Sequence, residues 1–391
     1  MKKILGLLLA LCLIAGCTSA FAAGIPVEQV KIGYITIGDE NEGYSANHLN
    51  GLKEAQKALG ISDDQVLCKY NVPETEAAYE AAIDLAEQGC NIIFATSFGH
   101  ESYLFQAAEE YPNIQFCHAT GTAAMSSPLN NVHNYFYAVY ESRYVSGVVA
   151  GMKLAQMIED GTITADAAKI GYVGAFPFAE VISGFTSFFL GARSQCPSVT
   201  MEVRYTNSWA DMALEKETAE ALIADGCVLI SQHADTTGAP SACEAAGVPC
   251  VGYNISMLPV APNTALTSAA GDWGAYVTYA VKCLIDGEEI ARDWCKGYAE
   301  GAVYTTELND SIVAPGTAEK VAELEAGFKA GTVKVFDTSA FTVNGETLTS
   351  YTTAYGLDGI EMVSDGEFHE SSVRSAPYFD ILIDGITAVV E

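Results

Sequence analysis

The sequence has little positive charge. Its 391 residues include 19 Lys and Arg against 49 Asp and Glu, which gives a formal net charge of −30 at pH 7. A surface this acidic repels phosphate backbones and anionic lipid headgroups, which excludes generic nucleic-acid and lipid-surface binding. Half of the residues are hydrophobic, so bulk disorder is excluded too, and at about 150 residues per domain the length predicts two domains. Neutral or cationic small molecules remain as partners.

Short catalytic and nucleotide-binding motifs are also missing. The chain has no G-x-G-x-x-G after a strand, no P-loop, no H-E-x-x-H and no G-x-S-x-G. Four of the six histidines, His48, His100, His118 and His233, follow predicted strands, but on separate loops and without a cysteine partner. Hydrogen bonds to a ligand are therefore favoured over a metal site, and we expect neither a metal nor a cofactor.

No run of 18 apolar residues follows the N-terminal segment, and the apolar run Ile4–Ala15 is too short to span a bilayer comfortably. Lys2 and Lys3 precede this run, as in a bacterial export signal. The residues Leu13 to Cys17 (LIAGC) look like a lipobox, which predicts a signal peptide over residues 1–16, a lipid on Cys17 and a linker over residues 17–29. Cleavage after Ala20-Phe21-Ala22, which would release a soluble protein, is the alternative.

Nine cysteines follow Cys17, an odd number with no C-x-x-C among them. Several lie in apolar segments, such as Cys117 and Cys250. We expect buried free thiols that pack as small hydrophobic groups.

The rest of the chain alternates strand and helix patterns, which predicts an α/β protein with parallel sheets covered by helices. The predicted strands are Val30–Ile37, Asn91–Thr96 and Ile114–Ala119. The predicted helices are Ala46–Leu59, Ala77–Glu87 and His100–Glu110. The pattern of Ala82–Gly99 recurs at Ala219–Gly238, each with a helix, a Gly-Cys pair, a strand and a polar loop. The sequence therefore predicts two lobes of similar wiring.

Aromatic and hydrogen-bonding residues follow the predicted strands of both lobes. Ligands of such sheets bind at the carboxyl ends of the strands, and two facing lobes form a cleft there. The pattern favours a site that stacks a flat ring and satisfies the polar atoms at its rim. The candidate binding residues are Tyr44, His48, Phe98, Phe176, Trp209, His233, Asp235, Tyr253, Asn254 and Trp273.

Nine stretches in order carry a resemblance to a known family. They are Gly43–His48 (GYSANH), Phe94–Gly99 (FATSFG), His118–Gly121 (HATG), Tyr140–Tyr144 (YESRY), Lys169–Val181 (KIGYVGAFPFAEV), Thr206–Trp209 (TNSW), Gln232–Asp235 (QHAD), Val251–Asn254 (VGYN) and Leu266–Gly274. From about Val30 to Val335 the chain resembles the basic membrane protein family, nearest its purine-base branch. Members are lipid-anchored receptors of ABC importers that bind purine nucleosides or bases.

The resemblance implies a type I periplasmic-binding-protein fold, with two Rossmann-like lobes, a hinge and a ligand cleft between them. We expect residues 30–140 and 255–290 in the first lobe, and residues 141–254 and 291–391, with a C-terminal extension, in the second. Strands over Leu348–Thr353 and Tyr378–Leu382 and a turn at Asn344-Gly345 are expected in that extension.

The resemblance also suggests roles for single residues. Tyr44 stands where the branch usually has Trp, and Asn254 where an Asp is common. Glu141 and Arg143 match a motif of the lobe-connecting region, either as a buried ion pair or as ligand contacts. The residues expected to stack on the ring are Tyr44, Phe176 and Trp209, and those expected to make polar contacts are His48, His233, Asp235 and Asn254.

The implied protein is a monomeric, extracytoplasmic receptor whose closed form is recognised by an ABC permease. Its only membrane contact is the lipid anchor, and it is not an enzyme. Two alternatives stay open: an exported nucleoside hydrolase that uses Glu141 or Asp235, and a sensory receptor with the same fold and ligand.

Overall fold

The computed structural model describes residues 24–354 and 357–389. The predicted export signal and the lipid-carrying Cys17 lie outside these residues and stay predictions. Within them, no helix is both long and apolar enough to cross a membrane.

The first lobe is a six-stranded parallel sheet with helices on both faces. Its strands, in sheet order, are β2 (Val66–Lys69), β1 (Ile32–Ile35), β3 (Ile92–Ala95), β4 (Gln115–Ala119), β5 (Val132–Tyr137) and β11 (Asp293–Lys296). Its helices are α1 (Gly43–Leu59), α2 (Glu76–Glu87), α3 (Glu101–Glu110) and α8 (Trp273–Asp286).

The alternating side chains of β1 show which helix of this lobe covers which face of the sheet. Ile32 and Tyr34 of β1 belong to the core that includes Leu52 of α1, whereas Ile35 belongs to the core that includes Leu85 of α2. Successive side chains of a strand point to opposite faces, so a strand covered on both sides is apolar at every position. The predicted strands and helices of this lobe are confirmed, with bounds that differ by a few residues at each end.

The second lobe repeats this arrangement. Its strands, in sheet order, are β15 (Ile386–Val389), β7 (Thr200–Tyr205), β6 (Lys169–Gly174), β8 (Leu229–His233), β9 (Cys250–Tyr253), β10 (Ala265–Gly271) and β12 (Val303–Thr305), of which only β12 is antiparallel to its neighbour. Its helices are α4 (Val139–Glu159), α5 (Ala179–Gln195), α6 (Met212–Ala224), α7 (Gly238–Ala246) and α9 (Thr317–Lys329). In each lobe the first strand lies between the second and the third, so the predicted internal repeat is confirmed.

The chain crosses between the lobes three times, near Ala138, Gly271 and Gly297. A Cβ atom on Gly271 would overlap the ring of Tyr137, and one on Gly297 would overlap the carboxylate of Glu141. The crossing at Gly271 therefore requires a residue without a side chain, whereas a side chain at position 297 would displace the carboxylate of Glu141.

Two strands differ from the expected division of the chain. Ala265–Gly271, expected in the first lobe, pairs with the second sheet, and Asp293–Lys296, expected in the second lobe, pairs with the first. Asp293–Lys296 is the edge strand of the first sheet, Ala265–Gly271 is next to the edge strand of the second, and each ends at a crossing. Trp273–Asp286 lies in the first lobe as expected, because it packs on α1.

The C-terminal extension packs on the second lobe and also reaches the first. Ile386–Val389 joins the second sheet beside β7, while the hydroxyl of Ser375 donates to Asp293 of the first lobe at 2.7 Å. The predicted turn is confirmed: Asn344 and Gly345 have φ angles of 53° and 81°, as a two-residue hairpin turn requires.

The two strands predicted in this extension are wrong. The short strands there are β13 (Val363–Ser364) and β14 (Glu367–Phe368), which pair with each other. The backbone N–H groups of Tyr378 and Phe379 donate to the buried carboxylate of Glu370, at 2.6 and 3.0 Å, instead of to a strand. The hydroxyl of Ser183 in α5 donates to the same carboxylate at 2.8 Å. When a side chain, and not a neighbouring strand, accepts the backbone N–H groups of a segment, no periodic pattern in the sequence reveals it.

We predict that Glu370→Gln lowers the free energy of unfolding by about 2 kcal/mol, because an amide turns one acceptor oxygen into a donor that faces buried N–H groups. Urea unfolding measures the loss, with the exposed Glu109→Gln as the control. Equal stability of the two variants would contradict the structural role of Glu370.

Candidate functional site

The two lobes meet face to face at the carboxyl ends of their strands. The backbone N–H of Gly43, at the start of α1, donates to the carbonyl of Asp235 at 3.1 Å. The side-chain amide of Asn47 donates to the carbonyl of Gly271 at 3.0 Å. A Cβ atom on Gly43 would lie 2.8 Å from the Asp235 carbonyl oxygen, so this approach depends on glycine. The structure is therefore that of closed lobes.

A small pocket lies in this contact, with walls from both lobes. Its lining residues are Ile37, Tyr44, Ser97, Phe98, Thr120, Glu180, Trp209, His233, Asp235 and Tyr253. Six of the ten predicted binding residues line it: Tyr44, Phe98, Trp209, His233, Asp235 and Tyr253. The free volume is about 20 Å³, which is room for about one water molecule.

Aromatic rings close the pocket toward solvent. Phe98 of the first lobe lies 5.6 Å from Phe178 of the second, between ring centroids, and each is 40% exposed. Phe178 stacks on Phe176 at 5.1 Å, and Phe176 also packs against Trp209 at 5.1 Å. Phe176 therefore supports the lining ring of Trp209 and does not itself line the pocket.

Tyr44 is backed by two rings that were expected to bind ligand. His48 stacks on Trp273 with ring centroids 3.9 Å apart, and both side chains are buried. The ring of Tyr44 packs edge-on against His48, and its hydroxyl donates to the carbonyl of Thr96 at 2.5 Å. Burial lowers the pKa of His48 well below its ordinary value, so this ring is neutral. In the closed form His48 and Trp273 hold the Tyr44 wall from behind.

The side chain of Asn254 orients the acidic group of the pocket. Its amide donates to the Asp235 carboxylate at 2.8 Å, and its φ angle is 66°. Asn is one of the few residues that tolerate this left-handed backbone. Asn254 does not line the pocket but a separate interlobe groove of about 770 Å³. Burial, followed by the neighbouring carboxylates of Glu42 and Glu215, raises the pKa of Asp235 well above its ordinary value.

A buried cation supports the wall from the second lobe. The guanidinium of Arg143 lies 3.7 Å from the ring centroid of Tyr253 and donates to the carbonyl of Gln232 at 2.7 Å. Glu141 has a different partner, since it accepts the N–H of Tyr298 at 2.7 Å in the third crossing. The two residues thus act separately, Glu141 at the hinge and Arg143 behind the pocket, and the alternative of a buried ion pair between them is wrong.

Glu180 and His233 add a titratable pair to the pocket. The Glu180 Oε1 atom lies 3.5 Å from the His233 Nε2 atom. Burial raises the pKa of Glu180 to about 7, and the positive charge of Arg143 opposes this rise. Burial and Arg143 together lower the pKa of His233 well below its ordinary value. A ligand in this pocket therefore meets a neutral imidazole next to a carboxyl group that titrates near neutral pH.

Thr120 and Glu180 are lining residues outside the predicted binding set. Thr120 has a φ angle of 65°, which is unfavourable for a β-branched residue. Its hydroxyl is buried and has no hydrogen-bond partner among the described residues. Thr120 lies in the HATG stretch of the family resemblance, and Glu180 follows the first strand of the second lobe. These positions in the sequence are the signals by which the two residues could have been predicted as binding residues.

Two histidines that follow strands have structural roles. The Nε2 atom of His118 lies 2.7 Å from the carbonyl oxygen of Ser97, and that of His100 lies 2.9 Å from the carbonyl oxygen of Val72. Across residues 24–354 and 357–389, no group of three or more His, Cys, Asp or Glu has metal-binding geometry.

Known proteins are similar to this chain in sequence and in fold. A family model described as ABC transporter substrate-binding protein PnrA-like matches residues 34–328. A purine-binding protein of Brucella abortus (strain 2308) is 33% identical over 311 residues, which cover 79% of this chain and 83% of that protein. A putative ABC transporter glucose-binding protein of Haloferax volcanii is 30% identical over 316 residues, with 80% and 76% covered.

Among solved structures, an ABC transporter solute-binding protein from Aeropyrum pernix K1 has the same fold. It superposes with a TM-score of 0.66 at 18% identity, over 78% of this chain and 93% of that one. The length of the family match, the 33% identity and the two-lobed fold agree, and the chain belongs to the PnrA-like family of ABC transporter substrate-binding proteins, the basic membrane protein family.

Proposed function

We propose that this protein is an exported lipoprotein, anchored through Cys17 at the outer face of the cell membrane, that binds a purine base or nucleoside for an ABC importer. The observation that carries the proposal is the interlobe pocket, in which Trp209, Tyr44 and Phe98 surround polar groups from both lobes. The purine-binding relative, at 33% identity, supports the same ligand class.

The pocket chemistry suits a flat, uncharged heterocycle. Aromatic walls offer stacking area, while the rim groups of Asp235, His233 and Glu180 can accept and donate hydrogen bonds to ring nitrogens and exocyclic groups. A phosphate would meet the acidic groups of Glu180 and Asp235 and no Lys or Arg among the lining residues of the pocket, so a nucleotide is disfavoured.

Binding must include a change of lobe separation. A free volume of about 20 Å³ is too small for a bicyclic ring, so the walls have to part for entry and then close on the ring. Contacts from both lobes to one ligand stabilise the closed form relative to the open form, as a population shift requires. The closed form is the state that the permease would recognise.

The proposal is tested by calorimetric titration of the processed chain, residues 18–391, with adenine, guanine, their nucleosides, glucose and ribose. Binding of purines and not of the sugars is expected. Binding of glucose without any purine would overturn the proposed ligand class, and turnover of adenosine or inosine would overturn the binding-protein function.

We predict that Trp209→Ala weakens purine binding by about 2 kcal/mol or more, roughly thirtyfold in Kd, because it removes the largest stacking wall. Trp209→Phe keeps an aromatic wall and is expected to retain most of the affinity. An unchanged Kd for Trp209→Ala in calorimetry would remove Trp209 from the site.

A second prediction concerns the charge of Glu180. Because burial raises its pKa from an ordinary value of 4.5 to about 7, the folded protein holds this proton more tightly than the unfolded chain. The protonated Glu180 therefore contributes its full stabilisation to the folded protein below about pH 4.5, and this contribution is lost as the pH rises through about 7. Glu180→Gln should therefore gain stability relative to wild type between pH 5 and 8, by about 2–3 kcal/mol.

Urea unfolding at several pH values measures this difference. The exposed Glu217→Gln is the control for replacing a carboxyl group by an amide at the surface. A pH-independent difference for Glu180→Gln would show that its carboxyl group titrates in the folded protein as it does in water.

A further inference from the structure

The C-terminal extension forms one wall of a second cavity beside the aromatic pocket. This cavity has a volume of about 360 Å³, within the range of small-molecule sites. It shares Phe98, Thr120 and Glu180 with the pocket, so the two spaces lie side by side along these residues. Arg374 and Asp380 of the extension line its far side.

Arg374 is held in place with donor capacity left over. Its Nε and Nη2 atoms donate to the carbonyls of Ala376 and Pro377 at 3.1 and 3.2 Å, and its guanidinium lies 3.6 Å from the ring centroid of Tyr378. The residue is 5% exposed, and its Nη1 atom has no hydrogen-bond partner among the described residues. A buried charged donor without a partner is costly, and it can be satisfied by an acceptor atom of a ligand or of a water molecule.

Thr120, which also lines this cavity, carries a second unsatisfied group. It is 4% exposed, and its hydroxyl also lacks a partner among the described residues. Its left-handed backbone is a strained conformation, of the kind that is concentrated at ligand sites. The carboxyl groups of Glu180 and Asp380 complete a set of donors and acceptors around the cavity.

This set matches hydroxyl groups better than an anion. A hydroxyl donates one hydrogen bond and accepts two, so a polyhydroxylated group can accept from Arg374 and donate to Glu180 or Asp380 at once. A phosphate or carboxylate would gain the arginine but meet two carboxyl groups in the same cavity.

We propose that the cavity between Arg374, Thr120 and Glu180 is a second subsite, which holds a hydroxylated substituent carried by the ring in the aromatic pocket. The ligand is then a nucleoside in preference to a free base, and Arg374 determines this specificity. The inference rests on the proposed purine ligand. It assigns a binding role to the C-terminal extension, which lies beyond the residues 34–328 matched by the family model.

The test is calorimetric titration of residues 18–391 with adenosine, adenine and adenosine monophosphate. The wild type should bind adenosine about tenfold or more tighter than adenine, and Arg374→Gln should weaken adenosine at least about tenfold more than it weakens adenine. The control is Arg193→Gln. Arg193 anchors the same extension through the carbonyls of Asp384 and Ala340, at 3.2 and 2.6 Å, and does not line the cavity. It should change the two affinities by the same factor.

If Arg374→Gln does not fold, Thr120→Gly replaces it in the test. This variant is expected to fold, because glycine adopts the left-handed backbone of position 120 without strain. It should also weaken adenosine more than adenine. Equal losses for both ligands in these variants, tighter binding of adenine or tighter binding of the monophosphate would each overturn the subsite. Adenine bound as tightly as adenosine by the wild type refutes the subsite alone, whereas binding of neither these two ligands nor guanine and guanosine refutes the proposed function as well.

Discussion

The pocket depends on one buried positive charge, that of Arg143. Its helix begins at the first crossing between the lobes, and its guanidinium reaches the pocket wall, where it packs on Tyr253 and donates to the carbonyl of Gln232. It lies behind the pocket that Glu180 and Asp235 line, and its charge opposes the rise in the pKa of Glu180. Arg143 therefore offsets part of the cost of burying this carboxyl group when the lobes close. The rest is relieved because burial raises the pKa values of Glu180 and Asp235 and so favours their neutral forms.

The extension changes how the two lobes can move. In a two-lobed receptor the crossings form the hinge, and ligand contacts bias it toward closure. Here the extension is bonded to the second lobe through Glu370 and Ser183, and to the first through Ser375 and Asp293. When the lobes open, the hydrogen bond between Ser375 and Asp293 has to move with them or break, and this bond lies outside the three crossings. The same segment forms one wall of the second cavity, so the proposed ligand selection and the hinge motion involve one element.

Sequence patterns predicted the parts of the fold that follow periodic rules. The apolar run at Ile32–Ile35 and the helical spacing within Gly43–Leu59 are local signals, and strand ends indicated Tyr44, Trp209 and Asp235 as neighbours in space. The sequence does not distinguish His48 and Trp273 from residues that line the pocket, because aromatic side chains that stack on each other in a core are of the same types as those that stack on a ligand. Thr120 and Arg374 contribute through a left-handed backbone and an unpaired donor atom. Neither property is visible in a sequence.

The central claim is that a purine ring lies against Trp209 between the lobes. The chain has three tryptophans, and the other two, Trp273 and Trp294, belong to the core of the first lobe. The most direct measurement is tryptophan fluorescence during a titration with adenosine, in wild type and in Trp209→Phe. The account predicts a saturable change in wild type, because a stacked base quenches the indole, and most of that change should be missing in Trp209→Phe although the ligand still binds. The same change in both proteins would show that the ring binds away from Trp209 and would contradict the account.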